Sequence, residues 1–302
     1  MAKRRYEILD VFTTEPLAGN PLAIVHDCEG LDGDAMQAIA REFNLSETVF
    51  VSRPRNPAHT AAIHIYTPNF EMPFAGHPTV GSAVSLALGR GLADSGMILV
   101  LEEKIGDVRC VVNRTGEEVF AEFDLPQLAA PYPHTASAEE VGAALGLGPH
   151  EIGFESHKVA AFSAGVPYVT VPVHGLEAAA KVKFDSQAWN AIAPDRGTGV
   201  PASAYVYCRE TVNHDCAFHA RMFAGGAGYE DPATGSALAA FSGAVLKFDQ
   251  PAGDRWQGWV EQGVEAKRPS RLRLELDLAN GEISTARIGG HAVRVAEGYL
   301  TV

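Results

Sequence analysis

Short stretches in which apolar and polar residues alternate, or run apolar, recur along the whole chain and predict more strands than helices. Residues 6–12 alternate and residues 22–25 run apolar, with Gly19-Asn20-Pro21 as a tight turn between the two strands. Over residues 32–43 the spacing becomes helical, with Met36, Ile39, Ala40 and Phe43 on one face and Asp32 or Asp34 near the start. Asn44-Leu45-Ser46 then forms a polar turn into a β-branched and aromatic strand, so Glu47 stands at a strand's beginning, where a side chain can face a cleft. Residues 60–66, 97–101, 107–112 and 118–123 predict four more strands, and the Ala-, Leu- and Ser-rich run 80–88, stopped by Gly89, predicts a helix. Adjacent alternating strands favour an antiparallel or mixed sheet over repeated βαβ units, which places the chain in the α+β class.

The stretch 125–133 is rich in Pro and Ala and is the best boundary by composition. Ser137 to Glu140 fits a capping box only loosely if the helix is taken as 141–145. Strands are predicted at 159–164, 168–173, 203–208, 256–261, 270–278, 282–288 and 291–295, and helices at 175–183, 184–193 (with Trp189) and 237–245, while residues 215–223 lead into the glycine-rich stretch 224–228. The second half thus repeats the first in outline. A small-residue helix wrapped by an antiparallel sheet is a reasonable module, because such a helix tolerates near-complete burial.

The two small-residue helices are each preceded by a related loop. One is Gly76-His77-Pro78-Thr79-Val80-Gly81-Ser82-Ala83 and the other Asp231-Pro232-Ala233-Thr234-Gly235-Ser236-Ala237, with His77 and Asp231 separated by 231 − 77 = 154 residues. Helix-start amides have no intrahelical acceptor and glycine lets a ligand approach, so two such loops facing one cleft would make two anion sites, suited to a small carboxylated metabolite. His77 has the residue type to donate to a substrate or transfer a proton, or else to cap its own loop or pair with a buried carboxylate. Asp231 has three open roles: orienting His77, holding a substrate amine, or capping the helix. By its local sequence alone, Glu47 reads as an exposed turn or cap residue.

Composition narrows the function classes. The 302 residues are 46% hydrophobic, enough for one large core or two ordinary ones. With 24 basic against 37 acidic residues the net charge is −13, and no basic cluster offers a nucleic-acid surface. Cys28, Cys110, Cys208 and Cys216 show neither a CxxC pair nor zinc spacing, so reduced, unpaired thiols are expected. No long apolar stretch suggests export or membrane spanning, and a soluble, cytoplasmic protein is expected. Gly225 to Gly228 lacks the Lys and Ser/Thr of a Walker loop, and no GxGxxG follows the first strand, so no nucleotide cofactor is expected. His157, His214, His219 and His291 do not form a ligand spacing, so no metal is expected, and the G-x-S-x-G hydrolase elbow is absent.

Several separated motifs, in order, carry a family resemblance. They are DVFTTEPLAGNPLAIV, AREFNLSET ending at Thr48, Thr67-Pro68 with EMPFAGHPT, Arg221-Met222-Phe223, Glu230-Asp231-Pro232-Ala233-Thr234-Gly235-Ser236, Glu261-Gln262-Gly263 with Arg268-Pro269-Ser270, and Gly289-Gly290-His291-Ala292-Val293. In these the chain resembles the phenazine-biosynthesis isomerase-like family of the diaminopimelate-epimerase fold. The resemblance implies two similar domains, each a curved, mostly antiparallel sheet around a central helix, with the active site between them. Residues 1–124 plus about 289–302 would form the N-terminal domain and residues 125–288 the C-terminal domain. It also implies a cofactor-independent isomerase, reasonably a homodimer, that moves a proton between carbons of a small carboxylated metabolite. In members acting on trans-2,3-dihydro-3-hydroxyanthranilate the proton carrier is a glutamate matching Glu47. His77 and Asp231 would be its cleft partners, and Gly76, Gly235 and Ser236 would contact the substrate carboxylate. Neither loop contains the cysteine of two-thiol epimerases, so two-thiol racemisation is not expected. An epimerase or lyase using the same cleft, a non-enzymatic metabolite-binding protein, and a self-associating structural or regulatory protein are the alternatives.

Overall fold

The computed structural model describes residues 2–302. It is an α+β fold in which helices are interspersed in a large mixed sheet whose pairings are mostly antiparallel. The chain divides into two compact units, one formed by residues up to Pro126 together with Gly289–Val302, the other by Gln127–Ile288.

In the first unit β1 (Lys3–Val11) pairs antiparallel with β2 (Asn20–Val25). Helix α1 (Gly33–Phe43) starts at Asp32, whose carboxylate accepts from the Ala35 amide, and ends where Asn44 turns left-handed at φ 51°. It crosses to β3 (Glu47–Ser52), which lies parallel to β2. β4 (Ala61–Tyr66) returns antiparallel, and β5 (Glu71–Met72) pairs with its end. Helix α2 (Gly76–Gly89) follows, and then the meander of β6 (Met97–Glu103), β7 (Gly106–Thr115) and β8 (Glu118–Asp124), with β6 parallel to β4. The C-terminal strand pairs with both β1 and β8, so the strands close a ring. Inside it α2 packs on β1, β2, β3, β6, β7 and β8.

Burial on all sides explains the composition of α2. Eleven of its fourteen residues are buried, so no polar face remains. A Cβ on Gly81 would lie 2.5 Å from Leu22 Cδ2 and 2.9 Å from Val11 Cγ2, so the strands come this close only because glycine is there. The helix predicted at 80–88 begins four residues earlier, at Gly76. Pro78 does not prevent this: it sits in the first turn, where its missing N–H has no intrahelical acceptor to serve.

The second unit begins with β9 (Ala130–Tyr132) and α3 (Ala138–Leu145). The capping box that looked loose is complete, because the helix starts at Ala138 and puts Glu140 at N3. Strands β10 (Ala160–Ser163) and β11 (Pro167–Pro172) pair antiparallel, and helices α4 (Leu176–Lys181) and α5 (Ser186–Ile192) lead to β12 (Ser203–Cys208), parallel to β11. Trp189 on α5, fully buried, donates its indole N–H to Ala202 O at 2.8 Å and anchors a core shared by α3, α4, β11 and β12. β13 (Cys216–Phe223) carries the two-residue β14 (Glu230–Asp231) on its end. α6 (Gly235–Ala244) then packs on β9, β10, β11 and the later strand β16 (Ser270–Ala279). β15 (Arg255–Gln262) lies parallel to β13, and β16 (Ser270–Ala279) antiparallel to β15.

The strands predicted at 282–288 and 291–295 are one strand, β17 (Glu282–Thr301), which runs from the second unit into the first. Gly289-Gly290 looked like a break. Gly289 instead marks a close approach, since a Cβ there would meet Phe120 Cζ at 2.4 Å and Ala121 O at 2.9 Å. Cys28, Cys110, Cys208 and Cys216 are buried and unpaired, and burial pushes the Cys28 and Cys208 thiols up to about 12. No helix among the described residues is long and apolar enough to cross a membrane.

The packing predicts a contrast between two glycines. A Cβ on Gly243 of α6 would lie 2.5 Å from Phe162 Cδ1, whereas one on Gly89 meets nothing within 4 Å. Gly243→Ala should cost about 1–3 kcal/mol by overpacking, read from the urea midpoint. Gly89→Ala should cause no loss.

Candidate active site

Glu47 is the first residue of β3, opposite Leu22 of β2 in the parallel ladder, with the left-handed turn at Asn44 just before it. His77 is the second residue of α2. The two side chains meet: His77 Nδ1 lies 2.9 Å from Glu47 Oε2. His77 is 4% exposed, while the Glu47 side chain keeps 18% of its surface open. The sequence left open whether His77 caps its loop or pairs with a carboxylate, and in the fold it pairs with Glu47. This carboxylate holds the ring through Nδ1.

The pairing has a direct chemical consequence. With Nδ1 held by the carboxylate, His77 Nε2 is buried with no hydrogen-bond partner among the described residues. Glu47 is thus a partly exposed carboxylate with one oxygen anchored by an imidazole. The anchor fixes the carboxylate's direction and leaves the second oxygen to accept or return a proton.

The second loop is organised differently. Asp231 is buried in β14, and its carboxylate accepts a hydrogen bond from Thr234 Oγ1. Its carbonyl accepts from Gln262 Nε2 at 2.8 Å. Gln262 Nε2 also lies 3.1 Å from Thr234 Oγ1, and Thr234 N donates to Gln262 Oε1 at 3.4 Å, so one amide of β15 clamps both ends of the loop. Thr234 is the N-cap residue of α6, and its hydroxyl serves Asp231 rather than the helix start. Beneath the loop, Gly263 has φ +77°, and a Cβ there would lie 2.5 Å from both Pro232 O and Arg268 O. Ser236 Oγ is 2.7 Å from the Tyr168 hydroxyl.

The similar wording of the two loops concealed a difference of register. The 154-residue offset aligned His77 with Asp231. In the fold His77 is the second residue of α2, the second residue of α6 is Ser236, and Asp231 lies four residues before Gly235 opens α6. Pro78 sits inside its helix, whereas Pro232 lies in the loop before its own. Gly76 and Gly235 therefore hold matching places as first helical residues, as do His77 and Ser236.

The sequence reading assigned no role to the residues that support these turns. Gln262 lies in the Glu261-Gln262-Gly263 run and Glu103 at the end of β6, and no local sequence signal marks either. Next to Asp231, Glu230 receives a two-pronged hydrogen bond from Arg221, with Nε to Oε1 at 2.9 Å and Nη2 to Oε2 at 2.7 Å. On the same strand as Arg221, His219 bonds Glu261 through Nδ1 at 2.8 Å and Glu265 through Nε2 at 3.1 Å. Among the described residues two other groups converge, His59 with Glu102 and Asp107, and Glu155 with His157 and Asp249. An arginine already enters each, Arg55 Nε at 3.1 Å from Glu102 and Arg209 Nη2 at 2.6 Å from Asp249, which makes them ion-pair networks.

Comparison with known proteins defines first the class and then the family. An uncharacterized isomerase of Mesorhizobium japonicum is 60% identical over 303 residues, covering 100% of both chains. Trans-2,3-dihydro-3-hydroxyanthranilate isomerase of Pseudomonas aeruginosa is 34% identical over 296 residues, covering 97% of this chain and 98% of its own. The crystal structure of the Bacillus anthracis phenazine biosynthesis protein of the PhzF family superposes with a TM-score of 0.89 at 26% identity, covering 100% of each chain. The protein is an isomerase-type enzyme. It belongs to the family described as phenazine biosynthesis-like protein, which matches residues 9–298, and has the fold of the diaminopimelate-epimerase superfamily.

The network around β13 predicts a pH dependence of stability. Burial opposes the charged form of His219, but hydrogen bonds to Glu261 and Glu265 outweigh it and raise the ring to about 9. A raised histidine contributes stability that is full below its ordinary value of 6.5 and is lost as pH rises through about 9. The melting temperature should fall across that window, and His219→Gln should flatten the fall.

Proposed function

We propose that the protein moves a proton between two carbons of a small carboxylated metabolite of the dihydro-hydroxyanthranilate type, without a cofactor, and that Glu47 carries the proton. The observation behind this is the Glu47–His77 pair, a partly exposed carboxylate anchored at 2.9 Å by a buried imidazole. The Glu47 carboxylate takes a proton from one carbon as the C–H electron pair passes into the substrate's π system. The resulting acid returns the same proton at the other end of that system, so the substrate gains and loses nothing overall. His77 keeps the carboxylate aimed through Nδ1. Its Nε2 faces the charge that develops on the substrate while the proton is on Glu47.

To the other named residues we assign binding. Asp231 takes a substrate amine or hydroxyl, and the helix-start groups of Gly76, Gly235 and Ser236 take the carboxylate. The 34% identity to an enzyme that acts on trans-2,3-dihydro-3-hydroxyanthranilate supports that compound as the first substrate to try.

The reading includes a duplication of the two units. α2 and α6 open 235 − 76 = 159 residues apart. At the same offset, Glu102 accepts from the amides of Arg55 and Asn56 and from His59, while Glu261 accepts from the amides of Val212 and Asn213 and from His219. It also includes a homodimer, which light scattering should report as twice the chain mass.

Glu47→Gln should lower kcat by about 10²- to 10⁴-fold and leave the melting temperature within a few degrees of wild type. In deuterated water the wild type should return an isomer of unchanged composition, which mass and stereochemistry separate from epimerisation or elimination. Full turnover by Glu47→Gln on that substrate would reject the role given to Glu47.

A further inference from the structure

Glu103, the last residue of β6, is buried and touches the first turn of α2. Its Oε1 lies 2.8 Å from Thr79 Oγ1, which also lies 2.8 Å from the Ala75 carbonyl. A hydroxyl carries a single hydrogen, and a carbonyl oxygen only accepts. Both contacts are hydrogen bonds together when Thr79 donates to Ala75 and the Glu103 acid donates to Thr79. That chain requires an un-ionised carboxyl. Thr79 is two residues from His77, and Ala75 is the N-cap of the same helix, so the chain grips the turn that presents His77 to Glu47.

The place of Glu103 is held by an amide in the other unit. Gln262 stands 262 − 103 = 159 residues later, at the offset that separates the starts of α2 and α6. It ends β15 as Glu103 ends β6, and it bonds the start of its helix from the preceding turn, through Thr234 and the Asp231 carbonyl, where Glu103 bonds Thr79 within the first turn of α2. An amide has no charged form, so the task at this position is one for a neutral hydrogen-bonding group.

We propose that Glu103 is a positioning residue of the active site, acting as an un-ionised acid that donates to Thr79 and holds the first turn of α2, and with it His77. Its effect on turnover rests on the proton-transfer reading above.

The surroundings keep the acid neutral. Burial pushes Glu103 up to about 8. Glu103 lines a cavity of about 410 Å³ together with Glu71 of β5, His64 of β4, Glu102 and Lys104 of its own stretch, and Arg53 and Arg55. The cations there have other partners: Lys104 and His64 are on Glu71 at 2.9 and 3.3 Å, Arg55 is on Glu102 at 3.1 Å, and Arg53 is on Glu29 at 3.4 Å. On β7 the Cys110 thiol, itself raised by burial, offers no positive charge. From α2 the contact is Thr79.

The test compares wild type, Glu103→Gln and Glu103→Ala. The ring ¹⁵N resonances of His77 in the wild type should show a step near pH 8 as the acid ionises and the grip on Thr79 changes, and Glu103→Gln should lack it. A carboxyl whose folded value is raised holds a proton that the unfolded chain releases, so wild-type stability falls as pH rises from the ordinary carboxyl range to about 8. Glu103→Gln should therefore melt above wild type at about pH 8.5, with the gap closing toward about pH 5.5. With trans-2,3-dihydro-3-hydroxyanthranilate, Glu103→Gln should keep kcat within about threefold and lose the wild type's alkaline decline, while Glu103→Ala should drop at least about tenfold through misplacement of His77. A His77 step near pH 8 that persists in Glu103→Gln, or a Glu103→Gln enzyme as impaired as Glu103→Ala, overturns the proposal. If the wild type turns over none of this compound, the functional reading fails, and the His77 resonances and melting curves still decide the role of Glu103.

Discussion

A helix enclosed by strands has a buried start, and much of this molecule follows from that condition. The unpaired amides and side chains of the first turn must be met by protein groups or by a ligand, since a buried polar group without a partner is costly. In α2 the polar groups of the first turn are His77 and Thr79, met by Glu47 of β3 and Glu103 of β6. In α6 the N-cap Thr234 is met by Asp231 and by Gln262 of β15. Enclosure also fixes the composition of the helices, because Gly81 and Gly243 stand where Leu22 and Phe162 leave no room for a Cβ.

The polar residues at these helix starts serve two ends at once. Glu47 and His77 satisfy each other, yet the pair leaves Nε2 without a partner among the described residues and the carboxylate partly open. A purely structural pair would close both groups off. Asp231, by contrast, is held by Thr234 and by a loop clamped from below, with Gly263 packed under Pro232. One loop presents an imidazole bonded to a partly open carboxylate, the other a buried carboxylate held by its own threonine.

Much of the fold was legible because its signals are local. The alternation in β1, β3 and β4, the stripe of Met36, Ile39 and Ala40 in α1, and the small-residue runs of α2 and α6 are written in neighbouring residues. Failures came where a residue answers to a distant one. The helix predicted at 80–88 starts at Gly76, because Pro78 in a first turn breaks nothing, and the strands predicted on either side of Gly289 are one, because that glycine is small where Phe120 packs against it. Ser137 and Glu140 formed a loose cap only while the helix start was placed too late.

By itself the sequence determined the α+β class, the family, the two helix-start loops and Glu47, His77 and Asp231 as the residues to watch. Motif order and hydrophobic period survive in a linear string. Only the tertiary structure decided that His77 pairs with Glu47, that Ser236 rather than Asp231 takes the place of His77 in the second helix, and that Glu103 and Gln262 grip the two turns. Those facts depend on strands 24 or more residues away arriving within 3.1 Å of a helix start, and on the solvent they exclude in doing so. Nothing in the neighbours of Glu103 along the chain tells whether its carboxyl meets water or a buried hydroxyl, and that difference sets its charge.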